Sequence, residues 1–292
     1  MTTLLGREAV SYIAQQDGSK PFFMYLTFTA PHAPYQAPQQ YLDQYPDTQD
    51  TFKRSYDAMI TAMDEQIGNI LAELDRRGWR DNTLIVFQSD NGGPRSAEMT
   101  GEVDTSGGKI PADNGPYRDG KGSFYEGGTR VAALAHWRGH IQPAVVDQPL
   151  HIVDMYPTLV KLAGGTMAKA KPLDGLDAWP TISRGEPSPR TEVVYGIEPF
   201  RAAVRQGDFK LVWKTSLPSS VELFDIAKDP YETTNLADKY PEKVAALKQR
   251  SESLAREAAP PMLMKEIKGV SMSTLFGSVA LPEERHDMEQ VP

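Results

Sequence analysis

The chain has no cysteine. That excludes disulfides, a thiol nucleophile and any zinc–cysteine site, and says nothing about the compartment. No apolar run approaches the roughly 20 residues a membrane-spanning helix needs, so a membrane is not an expected partner. Basic residues are in deficit, 31 Lys and Arg against 39 Asp and Glu, for a net charge of −8. A phosphate backbone needs clustered Lys and Arg, so nucleic acid is not an expected partner either. There is no signal-peptide pattern at the start, where Met1 to Glu8 leads straight into a helical stripe. What remains is an ordinary globular composition, 40% hydrophobic and 24% charged over 292 residues. That is enough for one large domain or two smaller ones.

The stretch around which the chain is organised is Asn82 to Gly93, NTLIVFQSDNGG. An apolar and β-branched run, Thr83 to Phe87, stops abruptly at Ser89-Asp90-Asn91-Gly92-Gly93, and reads as a buried strand closed by turn residues. Ligands of open α/β sheets gather beyond the carboxyl ends of strands. There Asp90 and Asn91 offer a carboxylate and a carbonyl oxygen, donors that suit a hard cation. An Asx turn followed by a Gly-Gly loop is the plainer reading of the same residues.

Leu4 to Gln16 and Thr51 to Arg77 carry apolar residues at helical spacing, the second with Gly78 as its C-cap. Pro38 to Tyr45 reads as a short helix. Between the first two, Pro21 to Thr29 is continuously apolar and aromatic and reads as a strand buried on both faces. Pro31 and Pro34 fix the loop that follows and hold His32 at the strand's end, where it could equally be a surface histidine. Residues 94–122 form a long loop rich in Gly, Pro, Asp and Ser, of a length that is usually functional or disordered. Its Asp104, Asp113 and Asp119 are carboxylates near the turn but read first as turn residues. Lys121 lies between Gly120 and Gly122, so its backbone can approach a ligand, though a loop lysine is ordinarily just solvated. His136 and His140 do not sit on a helix and are given no metal role.

Leu150 to Leu162 reads as a helix with Pro157 in or near its first turn, and 171–185 as a loop marking a domain boundary. From Glu192 the pattern changes to short strands with a hairpin signal at Gln206-Gly207-Asp208. A helix over Tyr240 to Glu257 should pack on that sheet. The stretch 259–292 is too apolar for a solvated linker and is expected to dock, perforce on another surface such as a second copy of the chain.

Four segments resemble the type I sulfatases, the arylsulfatases of the alkaline phosphatase superfamily. Lys20 to Pro38 (KPFFMYLTFTAPHAPYQAP) looks like their histidine strand and loop, and NTLIVFQSDNGG like their metal motif. Gly120 to Val131 (GKGSFYEGGTRV) is similar to their lysine loop, and Val221 to Ala237 (VELFDIAKDPYETTNLA) to a signature near their C-terminus. Together these span most of residues 8–258. The resemblance implies an α/β fold: a sulfatase-like mixed sheet flanked by helices (1–185), then a small antiparallel sheet with one packed helix (186–258), then the docking tail (259–292). It implies that Asp90 and Asn91 serve a divalent metal, calcium in the family with zinc or manganese possible here, and in a site rewired to work without formylglycine His32 is expected as a further metal ligand. It implies that His32 and Lys121 act on an anionic ester, and that Glu126 and Arg130 support the site from beneath. Family members are often exported.

The family's nucleophile is a formylglycine made from Cys or Ser in a C/S-x-P-S-R motif well upstream of these segments. This sequence has no such motif; Ser188-Pro189-Arg190 is the nearest string. The upstream aspartate pair of the metal site is also absent. The chain therefore resembles the C-terminal portion of a sulfatase, and the usual sulfate-ester mechanism cannot be assembled from it alone. The expected activity is a metal-dependent hydrolysis of activated phosphate or sulfate esters without formylglycine, in which the metal lowers the pKa of bound water. The alternatives are part of an arylsulfatase needing its upstream half, and a non-catalytic remnant or interaction module. A homo-oligomer is expected, because a missing half leaves a sheet edge and an apolar face open.

Overall fold

The structure is a computed structural model. It describes residues 1–95, 110–168, 171–198, 200–215 and 218–258. The chain divides into two compact units, Met1–Ser251 and Glu252–Pro292. All but the last turn of the final helix described here belongs to the first. The expected docking tail, 259–292, and Asp104 lie outside the described residues.

Two helices form the amino-terminal layer. In α1 (Thr2–Gln15) the buried residues are Gly6, Ala9 and Ile13, one helical stripe. It packs on α3 (Thr51–Arg76), which buries Ala58, Met59, Ala62, Gln66, Glu73 and Leu74. Gly6 is where the two come closest, since a Cβ there would lie 2.4 Å from Gln66 Cβ. The Asp50 carboxylate caps α3 by accepting from the amides of Phe52 (2.9 Å) and Lys53 (3.1 Å). Gly78, at φ 69°, ends the helix as its spacing predicts. The short α2 (Gln39–Leu42) packs Tyr41 on Ala58 and Ala62 of α3, with its hydroxyl on Glu65 at 3.0 Å.

A single 3-10 turn, Arg80–Asn82, leads into β1 (Ile85–Gln88), which pairs antiparallel with β2 (Ala133–His136) in the register Ile85↔His136 to Gln88↔Ala133. One turn of helix, α4 (Glu126–Thr129), precedes β2. Helices α5 (Met155–Leu162, with Pro157 in its first turn) and α6 (Trp179–Arg184) follow. The second sheet has the order β3 (Glu192–Glu198), β4 (Arg201–Gln206), β5 (Phe209–Lys214), β6 (Ser220–Asp225), all antiparallel. Gly207 at φ 55° makes the expected β4–β5 turn. One face of this sheet packs Ala203, Val212, Phe224 and Ile226 against Tyr125 beside α4. The helix α7 (Pro241–Glu257) contributes buried Leu247, and its Arg250 pairs with Glu192 of β3 at 2.8 Å. The chain is thus α/β with an antiparallel carboxyl-terminal sheet.

Three local expectations are corrected. Pro21–Thr29 is extended but carries no strand pairing among the described residues, and its burial alternates strictly. Phe22 packs against Tyr12 and Trp79, whereas Phe23 and Tyr25 on the opposite side are 71% and 80% exposed. A continuous apolar run specifies two covered faces, and the described residues cover one. For the same reason β1 is half-buried rather than buried, with Val86 39% and, across the ladder, Leu134 56% exposed. Finally, the stretch read as a loop over 171–185 contains α6. Pro180 starts it, and Gly185, in the left-handed region at φ 67°, is its C-cap rather than a free turn.

Candidate functional site

Where β1 ends, the backbone is held by its own side chains. Asp90 Oδ1 accepts from the Asn91 amide at 3.0 Å, Ser89 Oγ donates to the Asn91 carbonyl at 3.0 Å, and Asn91 Nδ2 donates to the Gly92 carbonyl at 2.7 Å. The side chains of Ser89, Asp90 and Asn91 thus bond the backbone of their own turn. Asp90 is exposed and Asn91 half-buried.

Two segments lock onto this turn, and onto each other, through main-chain contacts. Gly92 N–H donates to Gly128 O (3.0 Å), Lys121 N–H to Gly93 O (3.0 Å) and Gly127 N–H to Arg118 O (2.8 Å). Asn114 spans the gap, accepting from Gly93 N–H (2.8 Å) while its Nδ2 donates to Gly93 O and Asp119 O, both at 2.9 Å. The glycines are here because backbone meets backbone. A Cβ on Gly92 would lie 1.8 Å from Gly127 O, one on Gly120 2.2 Å from Gly93 O, and one on Gly127 2.3 Å from Arg118 O.

The interlock delivers Lys121 to His32. Lys121 Nζ is 2.8 Å from His32 Nε2, although the two are 89 residues apart in sequence. His32 Nδ1 lies 2.8 Å from Ala33 O. A carbonyl can only accept, so the network assigns the proton to Nδ1 and leaves Nε2 as acceptor for the lysine ammonium. Asp113 and Asp119 behave as turn residues, accepting from Gly115 N–H (2.8 Å) and Gly120 N–H (2.9 Å). His136 is exposed on β2 and His140 stacks on Trp137 at 4.1 Å.

Glu126 and Arg130 form an ion pair at 3.7 Å, and three partners that sequence reasoning missed join Glu126. Glu126 is 3% exposed and accepts from Lys210 Nζ at 2.8 Å and from the Tyr195 hydroxyl at 3.2 Å. Lys210 and Glu232 are 0% and 1% exposed and lie 2.9 Å apart. Beside them Arg118 pairs with Glu222 at 2.9 Å and stacks on Tyr125, whose hydroxyl donates to the same carboxylate. Burial, then the Glu222 hydrogen bond, pushes the Tyr125 phenol well above its usual range. A lysine and a glutamate in a strand and a turn look solvated in the sequence. Asn114 looks like any turn asparagine. None gave a signal.

Among the described residues no three His, Asp or Glu side chains cluster as a metal site. Asp90 and Asn91 supply one carboxylate and one amide oxygen, the right chemistry for two places in the 6–8-oxygen shell of a hard cation. His32 is turned to Lys121 instead.

The family profile described as Sulfatase matches residues 1–165, more than half of the chain. The chain belongs to the sulfatase family. Among its relatives, mouse Arylsulfatase J is 30% identical over 89% of this chain and 49% of its own length. Mouse N-acetylgalactosamine-6-sulfatase is 34% identical over 64% of this chain and 33% of its own. The solved structure of Ps i-CgsB in complex with k-i-k-neocarrahexaose superposes with a TM-score of 0.78 at 30% identity, covering 89% of this chain and 56% of that one. Phosphonate monoester hydrolase of Agrobacterium radiobacter shares the fold, with a TM-score of 0.60 at 21% identity. This sulfatase chain thus spans about a third to a half of the length of the curated relatives it matches. Among the described residues no helix is long and apolar enough to cross a membrane.

Proposed function

We propose that the chain carries an anionic-ester hydrolase site, acting on activated sulfate or phosphate esters without a formylglycine of its own. The observation that supports it is the 2.8 Å contact between Lys121 Nζ and His32 Nε2, on a loop whose Lys121 N–H donates to Gly93 O. Lys121 has two further N–H directions with which to meet the non-bridging oxygens of a sulfate or phosphate group. A fixed ammonium there stabilises negative charge as it develops in the transition state. His32, oriented by Ala33 O, keeps Lys121 in place through its Nε2 acceptor, and the Lys121 ammonium is the proton source for a departing oxygen. A divalent cation would be held by Asp90 and Asn91, and when bound it supplies Lewis acidity to an ester oxygen.

The test is hydrolysis of nitrophenyl sulfate, phosphate mono-, di- and triesters and a carboxylate ester. Each is run on metal-stripped protein, on protein with Ca²⁺, Zn²⁺ or Mn²⁺ restored, and on Asp90→Ala. Metal-dependent turnover lost in Asp90→Ala is the expected result, and no turnover with any metal sinks the reading.

A second reading concerns assembly. Phe23, Tyr25 and Leu134, 71%, 80% and 56% exposed, motivate self-association through the bare side of the Pro21–Thr29 segment. A monodisperse monomer in sedimentation at micromolar concentration would refute it.

A further inference from the structure

The carboxyl-terminal signature VELFDIAKDPYETTNLA has no part in the proposed chemistry, yet it is built with care. The Asp229 carboxylate accepts from Thr233 N–H and Thr234 N–H, both at 2.8 Å, and from Thr233 Oγ1 at 3.0 Å. Asn235 Oδ1 accepts from Leu223 N–H (3.0 Å) and Ala237 N–H (3.0 Å), while its Nδ2 donates to Val221 O (3.1 Å). What this closed loop presents inward is Glu232, in the left-handed region at φ 57°. A glutamate is rare there, so the loop holds it against a backbone preference.

Glu232 Oε2 accepts from the main-chain N–H of Glu126 at 2.6 Å, and Lys210 Nζ bridges the two carboxylates at 2.8 and 2.9 Å. The Lys210–Glu232 contact is coulombic rather than an aligned hydrogen bond, so Glu232 Oε1 has no hydrogen-bond partner among the described residues. Two carboxylates and one ammonium, all essentially buried, are an expensive arrangement, and apolar residues of the same volume often serve stability as well or better. Burial holds the Glu232 carboxyl above its ordinary range despite the pull of Lys210. Stability alone is therefore a poor account of the cluster. Its direct product is orientation. Glu232 fixes the start of α4, and the next two residues of α4, Gly127 and Gly128, grip the Arg118–Lys121 and Asn91–Gly93 segments.

We propose that Glu232, with Lys210 and Glu126, is the positioning device of the site. It sets α4 so that the His32–Lys121 pair and the Asp90–Asn91 donors meet in register. The proposal rests on the reading of those four residues as one functional site.

The experiment is imidazole ¹⁵N NMR on the full chain labelled at histidine, with the His32 resonance assigned through His32→Gln, alongside thermal unfolding. The Nε2 shift of His32 reports the Lys121 contact directly and needs no substrate. Mn²⁺ affinity, by titration without substrate, is the second readout. Glu232→Gln keeps an acceptor for the Glu126 amide and should preserve the His32 signal. The triple replacement Glu126→Gln, Lys210→Met, Glu232→Leu should fold, shift the His32 resonance to that of Lys121→Met, and weaken Mn²⁺ by about 10–100-fold, as loss of outer supports does. A folded triple variant with an unmoved His32 signal overturns the proposal. If the triple variant does not fold, Glu232→Gln against Glu232→Ala decides. Retention in Gln with loss in Ala supports it, and the same signal in both overturns it. Hydrolysis is scored separately. Wild type without turnover refutes the hydrolase reading, while the His32 signal still tests the positioning.

Discussion

Gly92→Ala tests the interlock at its tightest point. The added Cβ would meet Gly127 O at 1.8 Å, Gly127 C at 2.8 Å and Gly128 Cα at 3.2 Å, all backbone atoms that cannot swing away. Gly92 is not in the left-handed region, so the cost is steric and not conformational. Restoring ordinary contact needs a retreat of roughly 1.5 Å. That breaks the 3.0 Å bond from Gly92 N–H to Gly128 O. A lost hydrogen bond costs about 1 kcal/mol and forced overpacking about 1–3 more, so about 2–4 kcal/mol in all. For a chain this size that is a fall in Tm of about 5–15 °C. Any turnover should fall by about 100-fold, the usual cost of a ~1 Å misplacement of reacting groups. Gly68→Ala is the control. It sits exposed in α3 with nothing within 4 Å of the new methyl, and should stabilise by about 0.5–1 kcal/mol. Paired thermal melts decide the matter. A Gly92→Ala protein melting within about 2 °C of wild type would refute the reasoning.

The Asp154–Arg190 pair, 2% and 9% exposed, should be costly to break. Asp154→Ala strands a buried guanidinium and should lose about 3–5 kcal/mol in denaturant titration. Burial pushes the Asp154 carboxyl up, but bonds from Arg190 and from the amides of Leu176 and His151 outweigh it and hold it below the ordinary 3.8. The stability it lends is thus present above pH 3.8 and lost as pH falls through the lower folded value. The gap between wild type and Asp154→Asn should be constant from neutral pH to about 5 and close below 3.8, and a gap that does not close contradicts the assignment. Lys121→Met should lower kcat/KM on any anionic ester by about 100–1,000-fold, chiefly in kcat, while leaving Tm nearly unchanged. An effect confined to KM would show that Lys121 binds substrate without stabilising developing charge. Phe23→Ser with Tyr25→Ser should reduce dye binding to exposed apolar surface and any self-association, and undiminished association would place the contact elsewhere.

The legible parts of the fold were those with local causes. Helices α1, α3 and α7 follow from apolar spacing, and the turns at Gly78 and Gly207 from residues that suit unusual backbone angles. The His32–Lys121 meeting has no local cause and was accessible only through family resemblance. Lys210 was invisible because strand alternation places a lysine in solvent by default; here its strand face is covered by Tyr125 and α4. Pro21–Thr29 was misread for the opposite reason, since its apolar run describes a neighbourhood that the described residues fill on one side only.

The bond from Glu126 N–H to Glu232 crosses 106 residues, and this has a consequence during synthesis. A ribosome adds about 5–20 residues per second, so roughly 5–20 s separate the emergence of α4 from that of its anchor. Over that interval the nascent chain already displays His32, Asp90 and Lys121, while α4 still lacks its Glu232 anchor. A chain interrupted before the 229–235 turn would keep every proposed reacting residue and lack the bond that anchors α4.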